Sequence, residues 1–349
     1  MAKSAWKKQK AESNESSVCG LAMNGLPVGE DLLPKACWES AQEFLCAFPQ
    51  GAYTTMLTAK NMHSIIALNR HLNRLASSLQ ALREQQQVVV DDSRDFDCTV
   101  SSLRESVILT IREAIFCLEK KLHSFMKQNA KDYAVCVVVL VPLKGRQVVA
   151  RASSVQWNYP SQHILQCVYF SRQCPGAKDS LWVQQRLPLY YTHIDKNKEH
   201  PKELLLVAEN NTCLEGSTTN FFVVYSQGYV KTAGNGVLGG IAAQFVEKAC
   251  QLLHIPLLYD APGLHDIEDW KEVFITNCIK VVEPVQSIYL PSTMQQRQVN
   301  FSIPHYSWTW KIREKVLELM LGETYDVYSD ADTFGRKQRL WNHFLQLQS

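Results

Sequence analysis

Residues 213 to 249 read CLEGSTTNFFVVYSQGYVKTAGNGVLGGIAAQFVEKA, a stretch that sets one carboxylate, Glu215, ahead of small polar residues and an apolar run. A glycine-rich segment then leads straight into a helical pattern. Gly234, Gly236 and Gly239 satisfy the spacing GxGxxG, and Asp260 follows roughly where a ribose-binding acid stands in a dinucleotide-binding unit. A nicotinamide site is therefore one reading. Against it, the strand before the glycines is the second arm of a short hairpin closed by Ser226-Gln227-Gly228, and too little chain follows for a doubly wound sheet. Glycines that serve only as a turn and a helix start are another reading.

The chemistry shared by the functional readings is narrower. The helix beginning near Gly240, Ile241 and Ala242 has no Ser, Thr or Asp cap, so its first backbone N–H groups are free for an anion. Glycines before it let a ligand come close, and a phosphate suits such a helix start. Most glutamates are solvated surface residues. Buried beside a phosphate, however, an ionised Glu215 could keep a heteroaromatic ring nitrogen protonated, as pyridoxal phosphate chemistry requires. A lysine that bonds the cofactor covalently would complete the set.

The segments LEGSTTNFFVV, VKTAGNGVLGGI and EVFITNCIKVVEPV, in that order, resemble the signature of class IV, fold type IV pyridoxal-phosphate enzymes. These are the branched-chain and D-amino-acid aminotransferases and aminodeoxychorismate lyase, and the plant aminotransferase-like members are the most similar. The stretch GAYTT and the later LNRHLNRLASS also resemble the family's first strand and its His-x-x-Arg-Leu helix, so the likeness runs over about residues 50–290. It implies that Glu215 pairs with the pyridine nitrogen and that Asn220 supports the ring site. Gly240, Ile241 and Ala242 would form the phosphate-binding helix start, and Asn277 and Cys278 the second phosphate-contacting loop. Lys178, in AKDSLWV, would be the catalytic lysine. Lys196, Lys198 and Lys202 stand in the charged stretch HIDKNKEHPKE, which reads as solvated.

Three positions depart from the family pattern. The phosphate-binding arginine is expected at Ala67, with Arg70 toward the polar face of the helix; Ala242 and Cys278 stand where threonines are expected. Each loss removes a hydrogen bond of roughly 1–3 kcal/mol. The resemblance thus implies a transaminase exchanging an amino group between an amino acid, of branched-chain or D-amino-acid type, and a 2-oxo acid. A lyase acting on aminodeoxychorismate and a catalytically degraded relative with the same fold are the alternatives.

The surrounding elements must place these groups. Residues 51–58 alternate as a strand, and Ile65, Leu68, Leu72, Leu75 and Leu79 form one helical stripe over 64–82. A long helix is expected over 102–128, a buried strand over 134–143 and a further strand over 162–172. After a turn at CPGAKDS, strands are expected at 203–208, 219–225, 229–232, 255–259 and 272–277, with a helix at 240–253. Strands joined by tight turns are antiparallel neighbours. The elements read as α+β after a polar tail over 1–40, and the resemblance implies a smaller N-terminal α+β domain over 41–175 and a larger cofactor-binding domain with a barrel-like sheet over 176–349. The cofactor would lie between the two domains, and the family implies a homodimer.

A chain of 349 residues supports two cores. Thirty-six Lys and Arg against 34 Asp and Glu leave a net charge of +2, which gives no sign of a nucleic-acid or membrane-surface protein, and the resemblance implies small amino and 2-oxo acids as partners. Eleven scattered cysteines without a CxxC pair indicate neither a disulfide framework nor a zinc site. The most apolar run is far shorter than the ~20 residues of a spanning helix. The N-terminus lacks the apolar stretch of a signal peptide, so a cytoplasmic protein is expected, with plastid and mitochondrion left open.

Overall fold

The computed structural model describes residues 18–59, 62–89, 91, 94–125, 133–156, 163–193, 203–291 and 298–329. In chain order the strands are β1 (Cys19–Met23), β2 (Leu26–Pro27), β3 (Gly51–Leu57), β4 (Ser64–Ile66), β5 (Tyr133–Pro142), β6 (Val149–Gln156), β7 (His163–Tyr169) and β8 (Glu203–Val207). They continue with β9 (Cys213–Gly216), β10 (Asn220–Tyr225), β11 (Val230–Thr232), β12 (Leu257–Leu258), β13 (Trp270–Asn277), β14 (Val281–Tyr289), β15 (Gln298–Asn300) and β16 (Thr324–Asp326). The helices are α1 (Ala36–Glu39), α2 (Ala41–Cys46), α3 (Leu68–Gln85), α4 (Val100–Phe125), α5 (Leu181–His193), α6 (Ile241–Leu252) and α7 (Trp308–Gly322).

The fold is α+β. An antiparallel sheet of five strands runs β2-β1-β6-β5-β3. The β-branched run in β5 is buried on both faces because α3 and α4 cover one face of the sheet and α2 lies on the other. In the second sheet β10, β13, β14, β7, β8 and β9 follow one another, and β9 returns to β10, so six strands close into a barrel. Closure removes the exposed edges that an open sheet would present. Strands β11 and β12 extend from β10, β15 pairs with β14, and β16 pairs with β4. Helices α6 and α7 pack on each other and on the barrel through Ile241, Phe245, Val246, Ile312, Val316 and Met320.

Several boundaries fall elsewhere than expected. Within residues 18–40, assigned to a polar tail, lies β1, registered against β6 from Cys19↔Ser153 to Met23↔Val149. Strand β7 belongs to the barrel and not to the N-terminal sheet, because its parallel partners β14 and β8 both come later in the chain. The helix read from residue 64 starts at Leu68, while Ile65 lies in β4 opposite Tyr325. Ala67, with φ 54°, makes the break between strand and helix. Strand β6, strand β14 and helix α5 were not anticipated. Among the described residues no helix is long and apolar enough to cross a membrane.

Candidate active site

The barrel closes at the stretch where the chemistry was expected. The single pair that joins β9 to β10 is Glu215↔Asn220. Between these two residues the chain turns over Glu203, which accepts from Thr218 N (2.7 Å), Thr218 Oγ1 (2.9 Å) and Thr219 Oγ1 (2.9 Å), and from Lys280 Nζ at 2.9 Å. Burial pushes the Glu203 carboxyl up, but Lys280 and the Thr218 bonds carry it below its ordinary value. Gly216 is required there: a Cβ would lie 2.1 Å from Thr219 Oγ1 and 2.7 Å from Glu203 Oε1.

Both members of the closing pair grip the glycine segment. Glu215 Oε2 accepts from Leu238 N at 3.0 Å, and Asn220 Nδ2 donates to Leu238 O at 2.7 Å. Glu215 is buried at 4% exposure, so the solvated reading does not hold. Its Oε1 accepts from Arg172 Nη1 at 2.8 Å. Burial raises the Glu215 carboxyl above its ordinary value, while Arg172, Leu238 N–H and Lys178 pull against that rise. The segment ends at Gly240, the N-cap of α6, which has no side-chain cap. The backbone donors of Ile241 and Ala242, both cavity residues, therefore have no intrahelical partner.

Lys178 comes to the same place from another part of the chain. Its backbone joins the edge of the first sheet: Tyr53 N donates to Lys178 O at 2.9 Å, Ala52 bridges Asp179, and Lys178 N donates to Ser78 Oγ at 3.0 Å. Arg172 Nη2 donates to Ala177 O at 2.9 Å and so ties the lysine's loop to Glu215. Lys178 is half-buried by accessible area and lines the cavity. Burial pulls its pKa down, Tyr53 opposes this, and Arg74, Arg172 and Arg186 add to it. The Nζ lies 5.1 Å from the Tyr53 ring centroid. Burial pushes the Tyr53 phenol up, but the charges of Lys178, Arg186 and Arg172 outweigh it and leave it below its ordinary value.

The arginine sought at Ala67 is not there, and Arg70 does not replace it. Ala67 is buried in the apolar cluster under α6, and Arg70 pairs with Glu323 at 3.0 Å and stacks over Phe245. Instead Arg74, two helical turns past Ala67, lines the cavity. Its Nη2 donates to Thr54 Oγ1 at 2.7 Å, and Thr54 Oγ1 lies 2.7 Å from His71 Nδ1. Burial holds the His71 imidazole well below its ordinary value, helped by Arg74 and Lys178. Cys278 Sγ lies 3.9 Å from His71 Nε2. Arg74 Nε is buried with no partner.

One cavity of about 280 Å³ gathers Lys178, Glu215, Asn220, Gly240, Ile241, Ala242, Asn277 and Cys278. Asn277 shapes its own loop, its Oδ1 accepting from Ile279 N (2.9 Å) and Lys280 N (2.8 Å). Arg172, Arg186 and Tyr53 are cavity residues that sequence reasoning missed, while Arg74, the arginine of the His-x-x-Arg-Leu helix, was noted only as part of that motif because the phosphate arginine was sought at Ala67. The pair His71 and Arg74, placed i and i+3 beside the leucine stripe of α3, is that motif, and aligning the anion-binding arginine on it instead of on Ala67 would have found the residue. Lys196, Lys198 and Lys202 lie outside the described residues.

The model of the family Amino-transferase class IV matches residues 51–288, more than half of the chain, and the chain belongs to that family. No curated protein matches it. Among solved structures it is similar to the branched-chain aminotransferase of the archaeon Thermoproteus uzoniensis, with TM-score 0.61 and 16% identity over 88% of this chain and 99% of that one. The branched-chain amino acid aminotransferase of the organism abbreviated T.th., solved with pyridoxamine 5'-phosphate, gives TM-score 0.61 and 17% identity over 90% and 100%. That of Escherichia coli gives 0.58 and 15% over 89% and 97%. At such identities the likeness speaks for the fold, a fold type IV architecture with a barrel-like sheet.

Proposed function

We propose that the chain is a pyridoxal-phosphate-dependent aminotransferase that exchanges an amino group between an amino acid and a 2-oxo acid. The observation that carries this reading is one cavity joining a lysine of lowered pKa, a buried carboxylate and an anion cradle. The donor set fits the cofactor. The bare Arg74 Nε and the uncapped start of α6 suit a phosphate, and Glu215, with lone pairs left beyond its two present bonds, suits a pyridine N–H. Lys178 would hold the carbonyl carbon. When bound, pyridoxal phosphate supplies an electron sink for negative charge at the substrate's Cα.

The chain's own residues do the rest. Lys178, whose pKa is lowered by burial and by the neighbouring arginines, is the nucleophile and then the base that moves the proton to and from the substrate carbon. Arg172 holds Glu215 and the lysine loop together, and Asn220 holds the glycine segment. Ala41, Leu45 and Val138 give the cavity an apolar wall, which favours an aliphatic side chain of the branched-chain type. Arg74 answers the loss inferred at Ala67, which weighs against a degraded relative.

The test is spectroscopic. Purified protein mixed with pyridoxal phosphate should develop the visible band of lysine-bound cofactor, Lys178→Ala should lack it, and a branched-chain amino acid should bleach it with release of its 2-oxo acid. A wild type with no band across the accessible pH range ends this reading; a band that persists in Lys178→Ala moves the role to another lysine.

A further inference from the structure

The cavity holds a cation that nothing in the scheme above uses. Four cationic side chains line it: Arg74, Arg172, Lys178 and Arg186. Arg172 is neutralised by Glu215, Arg74 offers its bare Nε to an anion at the α6 end, and Lys178 has its own task. Arg186 is different. Among the described residues it makes no hydrogen bond or ion pair, although its charge is felt at Tyr53, Lys178 and Cys46. The other lining carboxylate besides Glu215 is Asp179, and it is engaged by the Gln50 amide at 2.9 and 3.0 Å and by Leu181 N at 2.9 Å.

A half-buried guanidinium without a counter-charge loses hydration and gets little back, and its planar fork matches a carboxylate. Arg186 stands on α5, which packs against α2, and α2 supplies Ala41 and Leu45 to the same cavity. Charge at this end thus sits beside an apolar wall. We infer that Arg186 is the receptor for a carboxylate of the amino acid and 2-oxo acid exchanged here; the inference rests on the aminotransferase reading for the identity of that acid. Arg186 selects acids over amines and amides and turns the substrate's reacting carbon toward Lys178.

The experiment is calorimetric titration of the cofactor-loaded protein with hexanoate, hexanamide and glutarate, for wild type, Arg186→Gln and Arg186→Lys. Arg186→Gln should weaken hexanoate about 10- to 100-fold and leave hexanamide unchanged, with Arg186→Lys recovering part of the loss. Equal weakening of hexanoate and glutarate assigns Arg186 to the carboxylate next to the reacting carbon; weakening of glutarate alone assigns it to a side-chain carboxylate. Unchanged affinity for both acids in Arg186→Gln, or a wild type that binds neither, overturns the inference. A wild type with no visible cofactor band but with Arg186-dependent hexanoate binding refutes the aminotransferase reading and leaves the carboxylate receptor standing.

Discussion

Arg74 spends Nη2 on Thr54 and keeps Nε buried and bare. An unmade hydrogen bond of a buried donor costs about 1–3 kcal/mol, and an oxyanion relieves it. Arg74→Gln should therefore weaken pyridoxal phosphate and inorganic phosphate alike by about 10- to 100-fold, read by fluorescence titration. Equal affinity in the variant would remove Arg74 from the cradle. Lys178 offers a second residue-scale prediction. Its folded pKa lies below its ordinary value, so in the window between them the unfolded chain binds more protons and stability rises with pH. The free amine also appears at lower pH, so cofactor-band formation should have a midpoint below that of an ordinary lysine. Arg186→Gln should raise this midpoint and Tyr53→Phe lower it, since Arg186 lowers the lysine's pKa and Tyr53 raises it. A midpoint unmoved by either change contradicts the account. Glu215 and the α6 start were legible in the sequence because their motif is local. Arg74 was legible only as a member of the His-x-x-Arg-Leu helix, since its place at the cavity depends on Thr54 from another strand.

Among the elements, α6 and the β9–β10 closure act as one unit. A Cβ at Gly240 would lie 1.9 Å from Asn220 Oδ1, so the helix start and the closing strand touch backbone to side chain. Gly240→Ala should cost about 1–3 kcal/mol through this overpacking, read in denaturant unfolding, and should weaken phosphate while far-ultraviolet dichroism keeps the helix. A variant as stable as the wild type would show that the contact yields. Strands with strong apolar runs, such as β5 and β10, and helices with a clear stripe, such as α3 and α6, were readable from periodicity. Helix α5 escaped notice because Pro188 lies inside it and its apolar residues form no clear stripe. Strand β6 escaped because Ala, Ser and Arg in VARASSVQ hide its alternation.

Across the whole molecule the site is shared between two sheets. Tyr53 and Thr54 come from β3 of the first sheet, Arg74 from the helix that covers it, and Glu215, Asn220 and Asn277 from the barrel. The chain also crosses back late, since β16 pairs with β4 and Glu323 O accepts from Ala67 N at 2.7 Å. The α+β class, four of the six barrel strands, the uncapped helix start and the nomination of Glu215 and Lys178 by their motifs came from the amino-acid sequence, while β7 was assigned to the other sheet and β14 was not seen. Period, turn residues and motif order are properties of neighbours in the chain. Three things rested on tertiary structure: the half-burial of Lys178, the cavity arginine with a bare buried Nε and the arginine left unpaired among the described residues. Each depends on contacts such as Lys178 N to Ser78 Oγ and Arg74 Nη2 to Thr54 Oγ1, made between elements whose meeting local propensity does not encode.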